Sequence, residues 1–413
     1  MRSELHLIQA EASDVASPVF RPGKLGPLTL RNRVIKAATF EGMTPEGLVT
    51  DELVDFHRRV AVGGVGMTTV AYLAVAPEGR THAQQIHMRE EAVPGLRRLT
   101  DAVHQTGCAA AAQIGHAGPV ANPASNGSAS LAPSSSFNLL GLRPNRVVDE
   151  GDVRRIIADH GRAAQLAAFA GFDAIEIHLG HNYLVSSFLS SRLNRRRDQW
   201  GGDLENRARF AREVARTVRD AAGPTVAVTA KLNMSDGVRG GLGVEESIEV
   251  ARMLTVDGAL DALVLTGGSS LRNPMYLLRG DVPLHEFSAT LPPLVRAGFW
   301  LFGKRFMPAY PFKEAYFLPY ARKFLGAVNL PLVLLGGIST LATMNEAIAS
   351  GFSFVAMARA LLREPDFINK LRAGSREPST CTHCNRCMPT IYSGTRCVLT
   401  SEDQRGEAPS GSI

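Results

Sequence analysis

The chain has 413 residues, 45% apolar and 20% charged, which is the composition of a globular protein with a large core. Its formal net charge is +6, and the densest basic stretch, 192–197, has no interleaved aromatic residues, so the sequence does not indicate nucleic-acid binding. No run of 18 apolar residues occurs, which predicts no transmembrane segment. Residues 1–17 lack the apolar centre of a signal peptide, and we expect a disordered lead-in to a cytoplasmic protein.

Short apolar, β-branched runs alternate along the chain with amphipathic stretches. The runs are almost continuously apolar, as is typical of parallel strands covered on both faces. Eight strands alternating with eight helices predict an α/β fold, a closed (β/α)8 TIM barrel over 18–372. A doubly wound open sheet is the alternative, although no Gly-x-Gly-x-x-Gly follows the first strand. The predicted strands are 33–38, 66–75, 107–114, 172–179, 225–232, 261–266, 330–335 and 353–357, and the predicted helices are 50–62, 92–106, 149–170, 204–221, 243–256, 312–328, 340–350 and 364–371.

Three segments fall outside this repeat. Residues 115–148 and 267–311 leave the carboxyl ends of the third and sixth strands, where barrel enzymes hold their sites, so we interpret them as lids or substrate walls. For 290–302, a loop packed by its own aromatic residues and a shallow lipid contact are the alternatives. Residues 373–413 form a short Cys-rich C-terminal extension.

The fourth strand and its loop read AIEIHLGHNY and contain His178, His181 and Tyr183. Alternation places Glu176 and His178 on the barrel axis and the apolar residues between them against the helices. A metal site would need a third ligand, and none stands in a suitable pattern; a structural histidine pair is the other alternative. We favour two imidazoles that bind an oxygen atom, with Tyr183 as a proton donor.

Lysine, glycine and arginine residues follow or interrupt other strands. Lys231 lies inside the apolar fifth strand, an unusual place for a lysine. Gly336 and Gly337 end the seventh strand, and Ala358 leads from the eighth strand to Arg359. The loops after the last two strands of a TIM barrel commonly bind phosphate through backbone N–H groups, which predicts a phosphate site here.

Several motifs resemble the old yellow enzyme family of FMN-dependent oxidoreductases, in particular the branch that includes 2,4-dienoyl-CoA reductase and trimethylamine dehydrogenase. The motifs are LGPLTLRNRVIKAA, QIGHAG, EIHLGHNYLVSSFLSSRLNRRRDQWGGDLENRARF, LLGGI and FVAMARALLREPDF. The resemblance covers residues 18–372, which is most of the chain.

This resemblance implies FMN as cofactor and NAD(P)H as reductant. His178 and His181 would bind the carbonyl oxygen of an activated alkene, and Tyr183 would protonate the carbon beside the one that receives hydride. The implied FMN-binding residues are Gln113 at the pyrimidine edge, Lys231 near N1, Ala37 and Ala38 behind the ring, and Gly336, Gly337, Ala358 and Arg359 at the phosphate.

Five residues depart from the family pattern. Asn182 stands at a usual glycine, Ser191 at a common proline, Trp200 at a tyrosine, and Ala358 at the glycine of a Gly-Arg pair. Phe40 stands where other members carry threonine, cysteine or histidine beside the flavin. These changes preserve the flavin site but leave the substrate open.

Four of the five cysteines lie in the C-terminal extension: Cys381, Cys384, Cys387 and Cys397. Such a set can hold a [4Fe–4S] cluster or zinc, or stand without a ligand. The spacing resembles the cluster-binding segment of the dienoyl-CoA reductase branch, with a shorter gap before the last cysteine. A cluster would imply an electron-transfer partner; without one, NAD(P)H would reduce FMN directly.

The sequence therefore predicts an FMN-dependent oxidoreductase, specifically an ene-reductase acting on enones or enoyl thioesters. A flavin amine dehydrogenase or demethylase on the same barrel is one alternative. A non-catalytic metal-binding interaction protein is an alternative of another class. We expect a small-molecule substrate and a homo-oligomer.

Overall fold

The computed structural model describes residues 17–138, 141–291 and 293–400. Apart from Ser17, the predicted lead-in lies outside these ranges, and so does the end of the Cys-rich extension, 401–413.

Eight parallel strands form a closed barrel in chain order, with the last strand paired to the first. The prediction of a (β/α)8 barrel is confirmed, and each strand end lies within two residues of its predicted position. The barrel strands are β1 (Val34–Phe40), β2 (Met67–Ala74), β3 (Ala109–Gly115), β4 (Ala174–Leu179), β5 (Ala227–Asn233), β6 (Ala262–Thr266), β7 (Leu332–Leu335) and β8 (Phe354–Met357).

A ring of helices surrounds the barrel, and polar side chains fix several of their starts. The side chains of Thr50 and Asp203 each accept a hydrogen bond from a backbone N–H group in the first turn of the helix that follows. Asp149 and Asp152 form a reciprocal capping box. The ring helices are α1 (Asp51–Val62), α2 (Val93–His104), α3 (Glu150–Phe169), α4 (Leu204–Ala222), α5 (Val244–Val256), α6 (Leu318–Ala321), α7 (Leu341–Ala349) and α8 (Phe367–Arg372). Within the described ranges, no helix has the length and apolarity needed to cross a bilayer.

The long helix predicted over 312–328 is wrong. Only α6 is α-helical there, and a single 3₁₀ turn follows it. Ala315 has a φ of 48°, a left-handed conformation that an α-helix does not contain, and its N–H donates to Gly337 O at 2.8 Å. Tyr316 packs against the same glycine. The apolar residues of this segment thus contact the loop after β7.

The barrel interior is narrow and filled mainly by small residues. Its buried cluster contains six alanines, one from each of six strands: Ala37, Ala111, Ala174, Ala227, Ala262 and Ala356. Leu25 and Leu30 join this cluster from a short antiparallel hairpin, Gly23–Leu25 with Leu28–Leu30. Because the hairpin plugs the amino end, the carboxyl end is left to receive a ligand.

Both predicted insertions lie at that carboxyl end. The segment 115–148 contains a 3₁₀ turn, a short helix and two small strand pairs, whose bounds are Gly118–Val120, Pro123–Asn126, Leu131–Ala132 with Arg146–Val147, and Phe137–Asn138 with Arg143–Pro144. The segment 267–311 forms three helices, Pro274–Leu277, Leu284–Ala289 and Pro293–Phe306.

The alternative interpretation of 290–302 as a loop is therefore wrong, because most of that stretch belongs to the helix Pro293–Phe306. Phe299 of this helix contacts Phe287 of the preceding helix, with ring centroids 5.5 Å apart. The aromatic residues thus pack one helix against another. The remaining short elements are a helix, Leu184–Leu189, and a helix after β8, Arg359–Arg363, with 3₁₀ turns at Pro18–Phe20, Pro77–Gly79, Glu90–Ala92, Arg322–Phe324 and Met388–Tyr392.

The end of α1 meets the segment before α8 at Gly63, where a Cβ would lie 1.8 Å from Pro365 O. We expect Gly63→Ala to lower the free energy of unfolding by about 1–3 kcal/mol, because a backbone oxygen cannot rotate away from the methyl group. Gly298→Ala is the matched control, since no described atom lies within 4 Å of its Cβ position and alanine favours a helix. Thermal unfolding measures both variants, and an unchanged transition for Gly63→Ala would contradict this packing.

Candidate active site

The loop after β4 brings His178, His181 and Tyr183 together. The ring centroid of His178 lies 5.1 Å from that of His181 and 4.4 Å from that of Tyr183. Ile175, Ile177 and Leu179 of β4 belong to the outer core, so Glu176 and His178 face the axis as the alternation predicts. The structure thus collects the three predicted residues into one cluster at the carboxyl end of the barrel.

This loop is held in an unusual conformation. His181 and Asn182 have left-handed φ angles of 60° and 59°, which are uncommon outside glycine but tolerated by asparagine and histidine. Asn233 Oδ1 accepts the His181 N–H at 3.1 Å, and the Ser270 N–H donates to His181 O at 3.1 Å. Contacts from the β5 and β6 sides therefore fix the turn, and Asn182 can replace the usual glycine without a forbidden backbone. Strain of this kind is found at functional sites.

Both imidazoles are neutral near pH 7. Burial, with His181 and Lys231 nearby, holds the pKa of His178 well below 6.5, and burial lowers the pKa of His181 to about 3. Nδ1 of His178 accepts the Gly180 N–H at 3.2 Å, which leaves its proton on Nε2. His181 Nε2 is 3.0 Å from Thr266 Oγ1. His178 can therefore donate a hydrogen bond from Nε2 to a ligand.

The alternative of a metal at this histidine pair finds no support. The described part of the chain contains no group of three or more His, Cys, Asp or Glu side chains arranged around one ion. Thr266 and Gly180 are hydrogen-bond partners of the two rings, and neither side chain supplies a third imidazole, carboxylate or thiolate ligand.

Lys231 and Gln113 are joined by Glu176. Lys231 Nζ lies 2.9 Å from Glu176 Oε1, and Gln113 Nε2 donates to the same oxygen at 2.6 Å. The three side chains come from the neighbouring strands β3, β4 and β5, and all are nearly inaccessible to solvent. A buried charge is costly unless paired, so Glu176 allows a cation to stand inside the barrel.

The glycines after β7 have the conformations that a close backbone approach requires. Gly336 and Gly337 have φ angles of 111° and 74°, and a Cβ at Gly337 would lie 2.5 Å from Tyr316. Ala358 immediately precedes the short helix after β8. The two loops therefore meet at the predicted phosphate site.

Arg359 extends from this point toward the C-terminal extension. Its Nη1 donates to Arg279 O at 2.9 Å and to Asn385 Oδ1. A guanidinium has five N–H donors, so these two hydrogen bonds leave others for an anion. Glycine backbone and an arginine are the groups that bind a phosphate ester, and the residues present fit the phosphate of FMN.

The end of β1 completes the wall of the site. Ala37 and Ala38 lie there, and Thr39 Oγ1 is buried with no hydrogen-bond partner among the described residues. The pairing of β1 with β2 shifts register between Lys36 and Thr39, and such irregularities often adjoin active sites. An unpaired buried hydroxyl is costly, and a polar ring edge bound here would satisfy it. This end also fits the flavin.

The four cysteines of the extension line one small cavity: Cys381, Cys384, Cys387 and Cys397. Between them, His383 and Asn385 have left-handed φ angles of 58° and 57°, which curl the backbone around the cavity. Burial raises the pKa of Cys387 to about 11, so this thiol stays protonated unless a cation binds. All four cysteines are partly exposed, and within the described ranges no three of their thiols are arranged to hold a metal ion. The iron–sulfur cluster therefore stays a prediction from the spacing of the cysteines.

Sequence reasoning missed two aromatic features of the site. Tyr72 of β2 is buried with its ring centroid 5.3 Å from that of Tyr183, and its hydroxyl donates to Gly79 O at 2.6 Å. A tyrosine near the end of an apolar strand was the available signal. The Arg279 guanidinium lies within 6 Å of four aromatic ring centroids, including that of Tyr316. Its place in an insertion gave no signal.

A closed parallel barrel whose carboxyl end carries imidazoles, a buried lysine and an arginine after the last strand is the arrangement expected of a flavin-dependent oxidoreductase. Residues 18–264 match the NADH:flavin oxidoreductase / NADH oxidase family, and the chain belongs to it. The predicted resemblance, the enzyme class, FMN and NAD(P)H are confirmed at this level. The family assignment argues against a non-catalytic interaction protein.

Several curated proteins are similar to the chain. A 4,4'-dithiodibutanoate disulfide reductase of Rhodococcus erythropolis is 55% identical over 95% of this chain and 97% of the relative. A metal reductase of Desulforamulus reducens is 30% identical over 94% of this chain and 54% of that protein. A multifunctional alkene reductase/demethylase of Caballeronia cordobensis is 29% identical, over 90% and 51%. The chain thus spans nearly all of the first relative and about half of the other two.

Solved structures support the fold. A 2-naphthoyl-CoA reductase in complex with 2-naphthoyl-CoA has a TM-score of 0.80 at 23% identity, covering 93% of this chain and 57% of that one. An old yellow enzyme homologue from Zymomonas mobilis has a TM-score of 0.69 at 20% identity, covering 89% and 96%.

The neutral histidines predict acid sensitivity. Because the folded pKa of His181 is about 3 and the unfolded value is about 6.5, the unfolded chain takes up a proton that the folded chain does not. Stability therefore falls as the pH drops from about 6.5 towards 3. At about pH 5, this group should lower the free energy of unfolding of the wild type by up to about 2 kcal/mol relative to neutral pH. We expect His181→Asn to lack this decrease, as measured by urea denaturation.

The control is His104, whose Nε2 lies 2.8 Å from Asp173. This hydrogen bond raises the pKa of His104, so its stabilising effect is present at acidic pH and is lost as the pH rises. His104→Asn should therefore increase the acid sensitivity. Equal pH dependence of wild type and His181→Asn would contradict the buried neutral imidazole.

Proposed function

We propose that the protein is an FMN-dependent reductase that transfers electrons from NAD(P)H to a small organic disulfide carrying carboxylates. The observation that carries this proposal is the 55% identity, over 95% of this chain and 97% of the relative, to the Rhodococcus 4,4'-dithiodibutanoate disulfide reductase. The disulfide takes the place of the enone as the first candidate substrate.

Disulfide reduction consumes two electrons and two protons, and yields two thiols as the S–S bond breaks. FMN, when bound, would supply the two electrons, which come from NAD(P)H. His178 donates a hydrogen bond from Nε2 to the sulfur that carries the developing negative charge, and His181 lies beside it. Tyr183, whose ring contacts His178, protonates that sulfur. The second proton comes from solvent through the open carboxyl end.

The residues that would hold FMN surround this cluster. Lys231, which pairs with Glu176 at 2.9 Å, would offset negative charge on the reduced ring. The other FMN-binding residues of the proposal are Gln113 at the pyrimidine edge, Ala37 and Ala38 behind the ring, and Gly336, Gly337, Ala358 and Arg359 at the phosphate.

An anionic substrate suits the basic rim of the site. Arg272 lies two residues after Ser270, whose N–H donates to His181 O. Burial, together with the charges of Arg192 and Arg195, lowers the pKa of Arg272. The described residues give none of these three arginines a carboxylate partner, so a carboxylate of the substrate would relieve their mutual repulsion.

The four cysteines are proposed to hold a [4Fe–4S] cluster. The four thiols line one shared cavity, and four cysteine thiolates are the usual ligand set of such a cluster. A cluster would let a partner protein deliver electrons. The homo-oligomer and the cytoplasmic location stay predictions.

Alkene reduction is the second candidate. His178, His181 and Tyr183 can equally polarise a carbonyl oxygen and protonate the adjacent carbon. The Caballeronia relative is an alkene reductase/demethylase. The observation that favours alkene reduction over amine oxidation is the closeness of the three rings. Amine oxidation needs no groups that bind a substrate oxygen, whereas alkene reduction does.

Turnover of defined acceptors tests the function. The purified protein should show flavin absorbance, be bleached anaerobically by NADH or NADPH, and be reoxidised faster by 4,4'-dithiodibutanoate than by 2-cyclohexenone. His178→Ala should slow this reoxidation by about 10²-fold, because one donor to the developing charge is lost. Its bleaching by NAD(P)H should change little. A flavin-free protein, or one reoxidised only by enones, would refute the disulfide proposal.

The rim arginines can be tested by substrate charge. We expect Arg272→Ala to raise KM for 4,4'-dithiodibutanoate by about 5- to 20-fold, because a charge-assisted hydrogen bond is lost. The KM for the uncharged bis(2-hydroxyethyl) disulfide should stay the same, as should both kcat values. Arg239→Ala is the control on the same rim, since its backbone oxygen and not its side chain contacts Arg192. Equal effects on both substrates would contradict an anion-binding role.

A further inference from the structure

Asn385 lies in the short segment between Cys384 and Cys387 and is 2% exposed. Its Oδ1 accepts from Arg359 Nη1, and its Nδ2 donates to Leu278 O at 2.6 Å and to Asp281 O at 2.9 Å. Two carbonyl oxygens on one side and a guanidinium on the other fix the orientation of the amide. Through these hydrogen bonds the Asn385 side chain connects the cysteine segment with Arg359 and with the backbone of 278–281.

The turn 278–281 completes this connection. Arg359 Nη1 also donates to Arg279 O, and the Asp281 N–H donates to His383 O at 3.1 Å. A Cβ at Gly280, whose φ is 136°, would lie 2.1 Å from His383 O. The backbones of the turn and of the cysteine segment are thus in direct contact, and glycine is required where they meet.

We propose that Asn385 is a positioning residue that orients Arg359 toward the phosphate of FMN and so connects the four-cysteine cavity to the cofactor site. The proposal rests on the FMN-binding role proposed above for Arg359. Both oxygens that hold Nη1 are neutral, so they fix the guanidinium without cancelling the charge that a phosphate needs. An arginine held in place before binding also loses less side-chain entropy when the phosphate binds.

A coupling between the two sites follows from this arrangement. An occupant of the cysteine cavity restricts the segment that carries Asn385, and a phosphate on Arg359 restricts the same segment from the other side. Binding at each site then strengthens binding at the other by the same factor.

The test compares FMN with riboflavin, which lacks the phosphate. Asn385→Gly removes the amide while keeping a residue that tolerates a φ of 57°. Full-length protein loaded with either flavin is diluted, and release is followed by flavin fluorescence. We expect the variant to raise the Kd of FMN about tenfold and to change the Kd of riboflavin less than twofold. Arg359→Ala should have a similar selective effect, and adding Asn385→Gly to it should change little more.

Thr395→Val is the matched control, because it removes a different contact of the extension. Thr395 Oγ1 donates to Phe40 O at 2.5 Å and does not contact Arg359. The inference is overturned if Thr395→Val weakens FMN binding as much as Asn385→Gly does. It is also overturned if Asn385→Gly weakens the binding of FMN and of riboflavin equally. Either result would mean that the extension acts only through its general docking on the barrel. If Arg359→Ala weakens FMN and Asn385→Gly does not, the inference alone fails. If Arg359→Ala leaves FMN binding unchanged, the proposed phosphate site fails with it.

Discussion

The pairing of β8 with β1 closes the barrel, and each part of the candidate site depends on that closure. It brings Ala358 and Arg359, near the end of the chain, beside the end of β1. It also gives the interior a fixed width, in which Lys231 on β5 meets Glu176 on β4. Charged groups at such a position are stable only because the neighbouring strand supplies the partner at the right height.

A second buried charge cluster lies outside the barrel, between β1 and α1. Lys36 Nζ is 3.0 Å from Glu41 Oε1, and His57 Nε2 is 3.5 Å from the same oxygen. Glu41 Oε2 also accepts the Ala71 N–H at 3.1 Å. These contacts hold the loop after β1, whose backbone in turn accepts the Thr395 N–H at 2.7 Å. The C-terminal extension therefore docks on a rigid surface.

Local patterns in the sequence predict much of this arrangement. Period-two alternation in β4 predicts which face His178 occupies, and apolar runs predict all eight strands. Contacts between distant segments are not written in such patterns. The helix expected over 312–328 is replaced because Ala315 and Tyr316 pack on the glycines after β7. The partner of Lys231 and the contacts of Asn385 likewise follow only from the closed barrel and the docked extension.

In the proposed function, the choice of substrate rests on the rim arginines and not on the flavin. Neutral imidazoles that stabilise charge on an oxygen can do so on a sulfur, so the motif around His178 is compatible with several acceptors. Arg192 and Arg272 differ from His178 in being exposed, and exposed loop residues vary most freely. The proposal thus assigns specificity and chemistry to different residues at the same end of the barrel.

The contact of Thr395 with Phe40 joins positions 355 residues apart, and it has a consequence for biosynthesis. The first strand leaves the ribosome long before the segment that covers its end. Until the end of the chain is made, β1 lacks its partner strand β8 and the extension that covers its end. The emerging chain therefore exposes an unpaired strand edge. Contacts of such long range slow folding. A nonsense mutation shortly before Cys381 would therefore remove the late-forming segment that covers the end of the first strand, whereas the loss of a terminal tail usually costs a domain little.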